Sequence, residues 1–148
     1  MPDLRELTGD EEWDRGVAIL SQLWSHVDEA FVRSWREDDD YRLLGWFVAD
    51  GGDATTAGTA RELVAVAGVY VQTVIHHERG LWVHDFVVDE AHRGEGHGEA
   101  LLAALEDWGG ARDCEHVALV CAVDNDEAAA FYEGVGMDDF GTVYETDL

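Results

Sequence analysis

The chain has 148 residues, and its 33 acidic against 9 basic side chains give 9 − 33 = −24. All nine basic residues are arginine, and no lysine occurs. That balance excludes a nucleic-acid binder and a binder of anionic membranes, while six tryptophans and long apolar runs exclude a disordered acidic chain.

In chain order, a short strand (DLREL) opens the sequence. Thr8 and Glu11 then form a capping-box pattern for a helix whose stripe is Trp13, Val17, Leu20 and Trp24, widened by Ile19 and Leu23. A second helix is predicted from Asp28 to about Glu37, carrying Phe31, Val32 and Trp35. Tyr41 to Ala49 reads as a strand, GGDATTAGT as a flexible loop, and Glu62 to Ile75 as a β-branched strand with Gly68 at its middle. After the turn HHERG, Leu81 to Val88 completes an antiparallel meander. The period then changes. Leu101, Leu102, Leu105 and Trp108 mark a helix face that ends at Gly109-Gly110. His116 to Val123 reads as a strand and Asp124 with Glu127 as the start of a helix to about Gly134. A final strand is predicted within Phe140 to Asp147. This order predicts a mixed α/β fold of one domain over residues 1–148, with helices on both faces of a central sheet.

No apolar run reaches the length of a membrane span, and the start is not that of a signal peptide, so a soluble cytoplasmic protein is expected. The acidity itself predicts an origin in an extreme halophile. At molar salt the Debye length is only about 3 Å, so crowded carboxylates repel little and hold water. Cys114 and Cys121 are not spaced as CxxC, and Cys121 reads as a small buried apolar residue.

The chemistry concentrates in FVVDEAHRGEGHGEALLAAL, Phe86 to Leu105. A buried strand ends, and glycines at 94, 96 and 98 open a helix. Glycine lets a ligand approach the backbone, and the unpaired N–H groups of a first helical turn favour an anion. No GK[ST] follows, so this is not a Walker loop.

Arg93-Gly94-Glu95-Gly96-His97-Gly98 resembles the R/Q-x-x-G-x-G/A motif of the GNAT superfamily of N-acetyltransferases. The segment NDEAAAFYEGVGM, from Asn125 through Tyr132 to Met137, looks like that family's N-x-x-A-x-x-x-Y-x-x-x-G-F/M stretch. The match covers Leu81 to Met137. The resemblance implies a mostly antiparallel sheet with strands four and five splayed, and acetyl-coenzyme A as cosubstrate. Its pantetheine arm would lie along Phe86, Val87 and Val88. Its pyrophosphate would rest on the N–H groups of Arg93, Gly94, Glu95, Gly96, His97, Gly98 and Glu99, with Asn125 near the arm. Asn125 reads equally as a helix-start residue. Tyr132 either packs beside Phe131 or, as in many family members, protonates the departing thiolate. A phenol of pKa about 10 can do this for a thiol of pKa about 8.5. One departure stands out: Glu90 follows strand four where the family often has proline, and Asp89-Glu90 is an odd pair beside a polyanion.

The acceptor amine must lose a proton, and His84 and Asp85 on strand four are the candidate bases, His84 being slightly favoured. Alternation lets only one face the cleft unless a bulge intervenes. Trp24, His26 and Trp35 are candidates for lining an acceptor pocket, with Tyr144 at the far end. No metal is expected, since no histidine pair has convincing ligand spacing. The expected partner is a primary amine on a small molecule or protein, with room for a homodimer. The alternative is a coenzyme A-binding regulatory module of the same fold without turnover.

Overall fold

The computed structural model describes residues 2–49 and 61–148; the loop expected at GGDATTAGT lies outside them. Two compact units, Met1–Ala118 and Leu119–Leu148, are taken in turn.

In the first unit, β1 (Asp3–Glu6), β2 (Arg42–Ala49), β3 (Arg61–Val74) and β4 (Glu78–Val88) form an antiparallel meander. β5 (His116–Leu119) joins beside β4, giving a sheet of order β1-β2-β3-β4-β5 in which β4 and β5 run parallel. The join is at the start of β4, where Glu115 N–H donates to the Arg79 carbonyl at 2.8 Å. The His116 ring lies over Gly80, where a Cβ would come within 2.2 Å of Nε2.

β2 is buried at five successive positions, Leu43 to Phe47, which requires cover on both faces of the sheet. α1 (Asp10–Leu23) covers one face, with Gly16 against Leu43 and Leu7. Its buried Trp13, Val17, Ile19 and Leu20 join Leu43, Phe47, Val66 and Val87 in one core cluster. α3 (His97–Gly110) lies against β4, with Gly109 beside Leu81 and with Leu101, Leu102 and Leu105 buried. α2 (Glu29–Ser34) continues as a 3₁₀ turn over Trp35–Glu37, so the second helix is shorter than expected. The start of α1 is shifted by one residue from the expected Thr8–Glu11 box. Gly9 is the cap, and the Glu12 carboxylate accepts from the N–H groups of Thr8 and Gly9, both at 3.2 Å.

In the second unit, the Asn125 side chain caps α4 (Asp126–Gly134) by accepting from Ala128 N–H at 3.1 Å. Gly136 adopts φ +96° after the helix. Its N–H reaches the Glu133 carbonyl at 3.1 Å and Met137 N–H reaches Tyr132 at 3.0 Å, a Schellman stop that favours glycine at this position. Two expectations fail here. Residues 138–148 form no strand; Phe140, Val143 and Tyr144 are exposed and enter no ladder, and a strand exists only by pairing. Cys121 is only half-buried, because β5 ends at Leu119 instead of continuing to Val123.

Candidate active site

The register of β4 against β3 decides what its side chains can do. Gly68 pairs with Asp85, but the next residue, Val69, pairs with Val83, so His84 is the extra residue of a β-bulge. The bulge breaks the alternation that would have sent His84 and Asp85 to opposite faces. Both line one cavity of about 550 Å³, so the choice between them posed by strand periodicity does not arise.

The cavity lies beside the end of α1, α2 and the outer part of the sheet. Trp24, Phe31, Trp35, Tyr41 and Tyr70 supply its rings. These rings form a continuous chain of contacts, with Tyr41 its most buried member and Phe31 and His84 exposed at the two ends. Phe31 meets Trp35 at 6.2 Å between centroids, Trp35 meets Tyr41 at 5.4 Å, Tyr41 meets Tyr70 at 5.7 Å, and Tyr70 meets His84 at 5.1 Å. Of the residues proposed from sequence, Trp24 and Trp35 are in the lining. His26 packs edge-on to Trp24 outside it.

Asp85 is held from two sides. Trp24 Nε1 donates to one oxygen at 2.5 Å and the Tyr41 hydroxyl to the other at 2.6 Å. Gly68 makes this possible. A Cβ there would stand 1.8 Å from the Tyr41 hydroxyl oxygen and 2.6 Å from Asp85 Oδ2. Burial, then the neighbouring Asp85 charge, pushes the Tyr41 phenol far above its ordinary value, so Tyr41 is a permanent donor. Tyr70 donates to Asp38 at 2.7 Å and is pushed up to about 12 by burial and by that hydrogen bond. Sequence reasoning missed Tyr41, just before β2, and Tyr70, within β3, both far from Trp24 in the chain. Their only signal was a tyrosine at the start of one strand and inside the next.

β4 then runs through Phe86, Val87 and Val88, paired to Ala67, Val66 and Ala65. Asp89 ends it. This aspartate, awkward beside a polyanion when read from sequence, is a buried structural anchor. Arg15 and Gln22 of α1 donate to its carboxylate, and it caps the short turn Glu90–His92 by accepting from Ala91 N–H. Burial alone would favour the neutral acid. The hydrogen bonds from Gln22, Arg15 and Ala91 override it and hold the carboxyl at about 2. Gln22 also accepts from Glu90 N–H at 2.9 Å, so α1 fixes the entry to the glycine loop twice.

The loop itself is exposed backbone. Gly94 and Gly96 take φ of +79° and +86°, and a Cβ at either would meet nothing within 4 Å. Gly96 is the cap of α3, so His97, Gly98 and Glu99 occupy its first turn, where N–H groups lack intrahelical partners. Arg93 reaches back to donate from Nε to the Val88 carbonyl at 3.2 Å. His92 Nδ1, Glu95 and His97 bring possible metal-ligand atoms within 4.8 Å of one another, a grouping that the sequence reading did not anticipate. They are joined by side-chain contacts: Glu95 lies 3.4 Å from His92 Nδ1 and 3.2 Å from His97 Nε2, and Glu62 lies 3.0 Å from His92 Nε2.

In the second unit Tyr132 is half-buried on α4, edge-on to Phe131 at 5.4 Å, and burial pushes its phenol above the ordinary value. Asn125 is the helix cap described above.

A bulged fourth strand, a glycine-opened helix after it and a mixed five-stranded sheet define an acyltransferase fold. The comparisons agree. The model of the acetyltransferase (GNAT) family matches residues 20–137, and the chain belongs to that family of acyltransferase enzymes. The uncharacterized N-acetyltransferase YhdJ of Bacillus subtilis (strain 168) is 26% identical over 136 residues, 89% of this chain and 88% of the relative. Among solved structures, aminoglycoside N-acetyltransferase AAC(6')-Iy in complex with CoA superposes with a TM-score of 0.79 at 15% identity, covering 100% of this chain and 95% of that one. The ribosomal-protein-alanine N-acetyltransferase of Brucella melitensis biovar Abortus 2308 gives 0.77 at 19%, covering both chains fully. No helix among the described residues is long and apolar enough to cross a membrane.

Proposed function

We propose that the chain transfers an acetyl group from acetyl-coenzyme A to a primary amine by direct attack. One observation carries this: a single strand, β4, places His84 and Asp85 in a cavity and is followed, after the short turn Glu90–His92, by a glycine-opened helix start. An acceptor pocket and a phosphate-type cradle are thus joined by Phe86, Val87 and Val88, along which a pantetheine arm can pair. The loop amides from Arg93 to Glu99 receive the pyrophosphate. That some solved relatives bind CoA, and that some act on aminoglycosides, supports the cosubstrate and the amine class without fixing the acceptor.

In this reading the amine enters as an ammonium and is received by Asp85. His84 takes its proton. The amine nitrogen attacks the thioester carbonyl, the C–N bond forms, the C–S bond breaks, and Tyr132 gives its proton to the leaving thiolate. The nitrogen then sheds its second proton, the Tyr132 phenolate takes one up again, and His84 returns the first to solvent. The products are the N-acetyl amine and the free coenzyme thiol. A buried phenol with a raised pKa remains protonated at neutral pH and so remains an acid. The family match spans both units, which supports one working domain over residues 1–148. The charge of −24 supports work in the salt-rich cytoplasm of a halophile.

The test is thiol release from acetyl-coenzyme A with an amine panel, in low and in roughly molar KCl. Release is expected with at least one amine. Tyr132→Phe should lower turnover about a hundredfold with coenzyme affinity unchanged. Turnover and melting temperature should both rise with salt. Coenzyme binding without thiol release from any amine would leave a regulatory binding module instead. A melting temperature that is flat or falls with salt counts against the halophile reading.

A further inference from the structure

The cavity has a chemistry of its own that bears on which amine enters it. Its volume, about 550 Å³, suits a drug-sized molecule and does not discriminate between one ring and two. The lining does. Aromatic rings run without interruption from Phe31 at the mouth to Tyr70 beside His84, and the remaining wall is mainly aliphatic, including Leu20, Val27 and Val32.

The polar groups are few and mostly engaged. Asp85 is the only carboxylate in the lining among the described residues, and its oxygens already accept from Trp24 and Tyr41. The Tyr70 hydroxyl is turned to Asp38. Gln72 adds one amide and His84 one imidazole. A carboxylate offers about four acceptor sites, so Asp85 can still take one ammonium, and the ring faces around it favour a cation. A second ammonium, or a set of sugar hydroxyls, would be desolvated against rings, with little beyond the Gln72 amide and the His84 imidazole to bond.

We infer that this pocket takes a single primary amine carried on an apolar, ring-sized body, and excludes polyhydroxylated aminosugars. This rests on the acetyl-transfer reading for its role but not for its occupancy. The negative surface would attract any polycation, so the surface must be silenced to see the pocket. Molar salt does that, since charges beyond about 3 Å are then screened.

The experiment is calorimetric titration of the coenzyme-free protein in roughly 1 M KCl. The probes are 2-phenylethylamine, 2-phenylethanol, glucosamine and a two-ring aminoglycoside. 2-Phenylethylamine should bind at least about tenfold more tightly than either aminosugar and more tightly than the alcohol. Phe31→Ala and Trp35→Ala, both at exposed rings and each checked for an unchanged melting temperature, should each weaken it about fivefold or more. Asp85→Asn should remove the preference for amine over alcohol. An aminosugar that binds as tightly as 2-phenylethylamine in that salt overturns the inference, and so does an unchanged affinity in both ring variants. The outcome separates the two readings. If 2-phenylethylamine binds as expected but acetyl-coenzyme A is never consumed, acetyl transfer fails and the pocket assignment stands.

Discussion

Around Asp85 the protein is packed side chain on side chain. Trp24, Tyr41 and Asp85 meet at hydrogen-bonding distance, and Gly68 is there because no Cβ fits beneath them. A short way further along the chain, beyond the end of β4, at Gly94 and Gly96, nothing lies within 4 Å of where a Cβ would be. Glycine serves opposite purposes in the two places. At 68 it makes room for the protein's own side chains. In the loop it supplies a backbone conformation and leaves room for something that is not protein. Between the two sits Asp89, whose bonds to Arg15 and Gln22 tie the loop's entry to the helix that also ends in Trp24.

If that contrast is right, adding one methyl should have unequal effects. Gly68→Ala is expected to be the most damaging, at about 3 kcal/mol, from overpacking and from loss of the Tyr41–Asp85 bond. Denaturant unfolding in molar KCl measures it. A loss under about 0.5 kcal/mol would show that Tyr41 moves aside freely and that the cavity wall is not locked.

Asp89 tests the joint between the two regions. Its carboxyl titrates near 2 in the fold against an ordinary 3.8. A depressed folded value stabilises the protein fully above the unfolded value and loses that stabilisation as pH falls through the folded one. Asp89→Asn should therefore cost about 2 kcal/mol at neutral pH, and the gap to the parent should shrink as pH drops from about 4 towards 2. A gap that does not change with pH would mean that the aspartate acts by shape alone.

The same contrast explains what could be read from the chain beforehand. The loop is made of backbone over a few consecutive residues, so the glycine-opened helix start at Arg93-Gly94-Glu95-Gly96-His97-Gly98 is legible in one dimension. The stop after α4 is equally local, and Gly136 announces it. The meander and its helices follow from periodicity. The cavity draws on Trp24, Tyr41, Tyr70 and Asp85, which are separated by whole elements and meet only through strand register. The bulge at His84 is a register event with no mark in the sequence. The strand expected near Phe140 failed for a related reason. Its composition suits a strand, but composition cannot supply a neighbour to pair with. Asp89 looked misplaced because its charge was visible and its partners Arg15 and Gln22 were not.

The smallest expected effect on stability is at Gly96, and there the comparison sharpens most. Gly96→Ala meets no atom, so its cost is the strain of a left-handed φ, about 1 kcal/mol. Unfolding should scarcely register it beside Gly68→Ala. Coenzyme binding should register it strongly. On the proposed reading the added methyl stands where the loop's N–H groups would approach a phosphate, and lengthening a charge-assisted N–H···O contact by a fraction of its length weakens it steeply. An affinity loss of at least about tenfold is expected by calorimetry, with Gly68→Ala tested alongside. Gly68→Ala should lose amine binding and stability while keeping the coenzyme, and Gly96→Ala should do the reverse. If Gly96→Ala binds the coenzyme as the parent does, the open space over the loop is not where the phosphates lie. The cradle would then have to be sought elsewhere along β4.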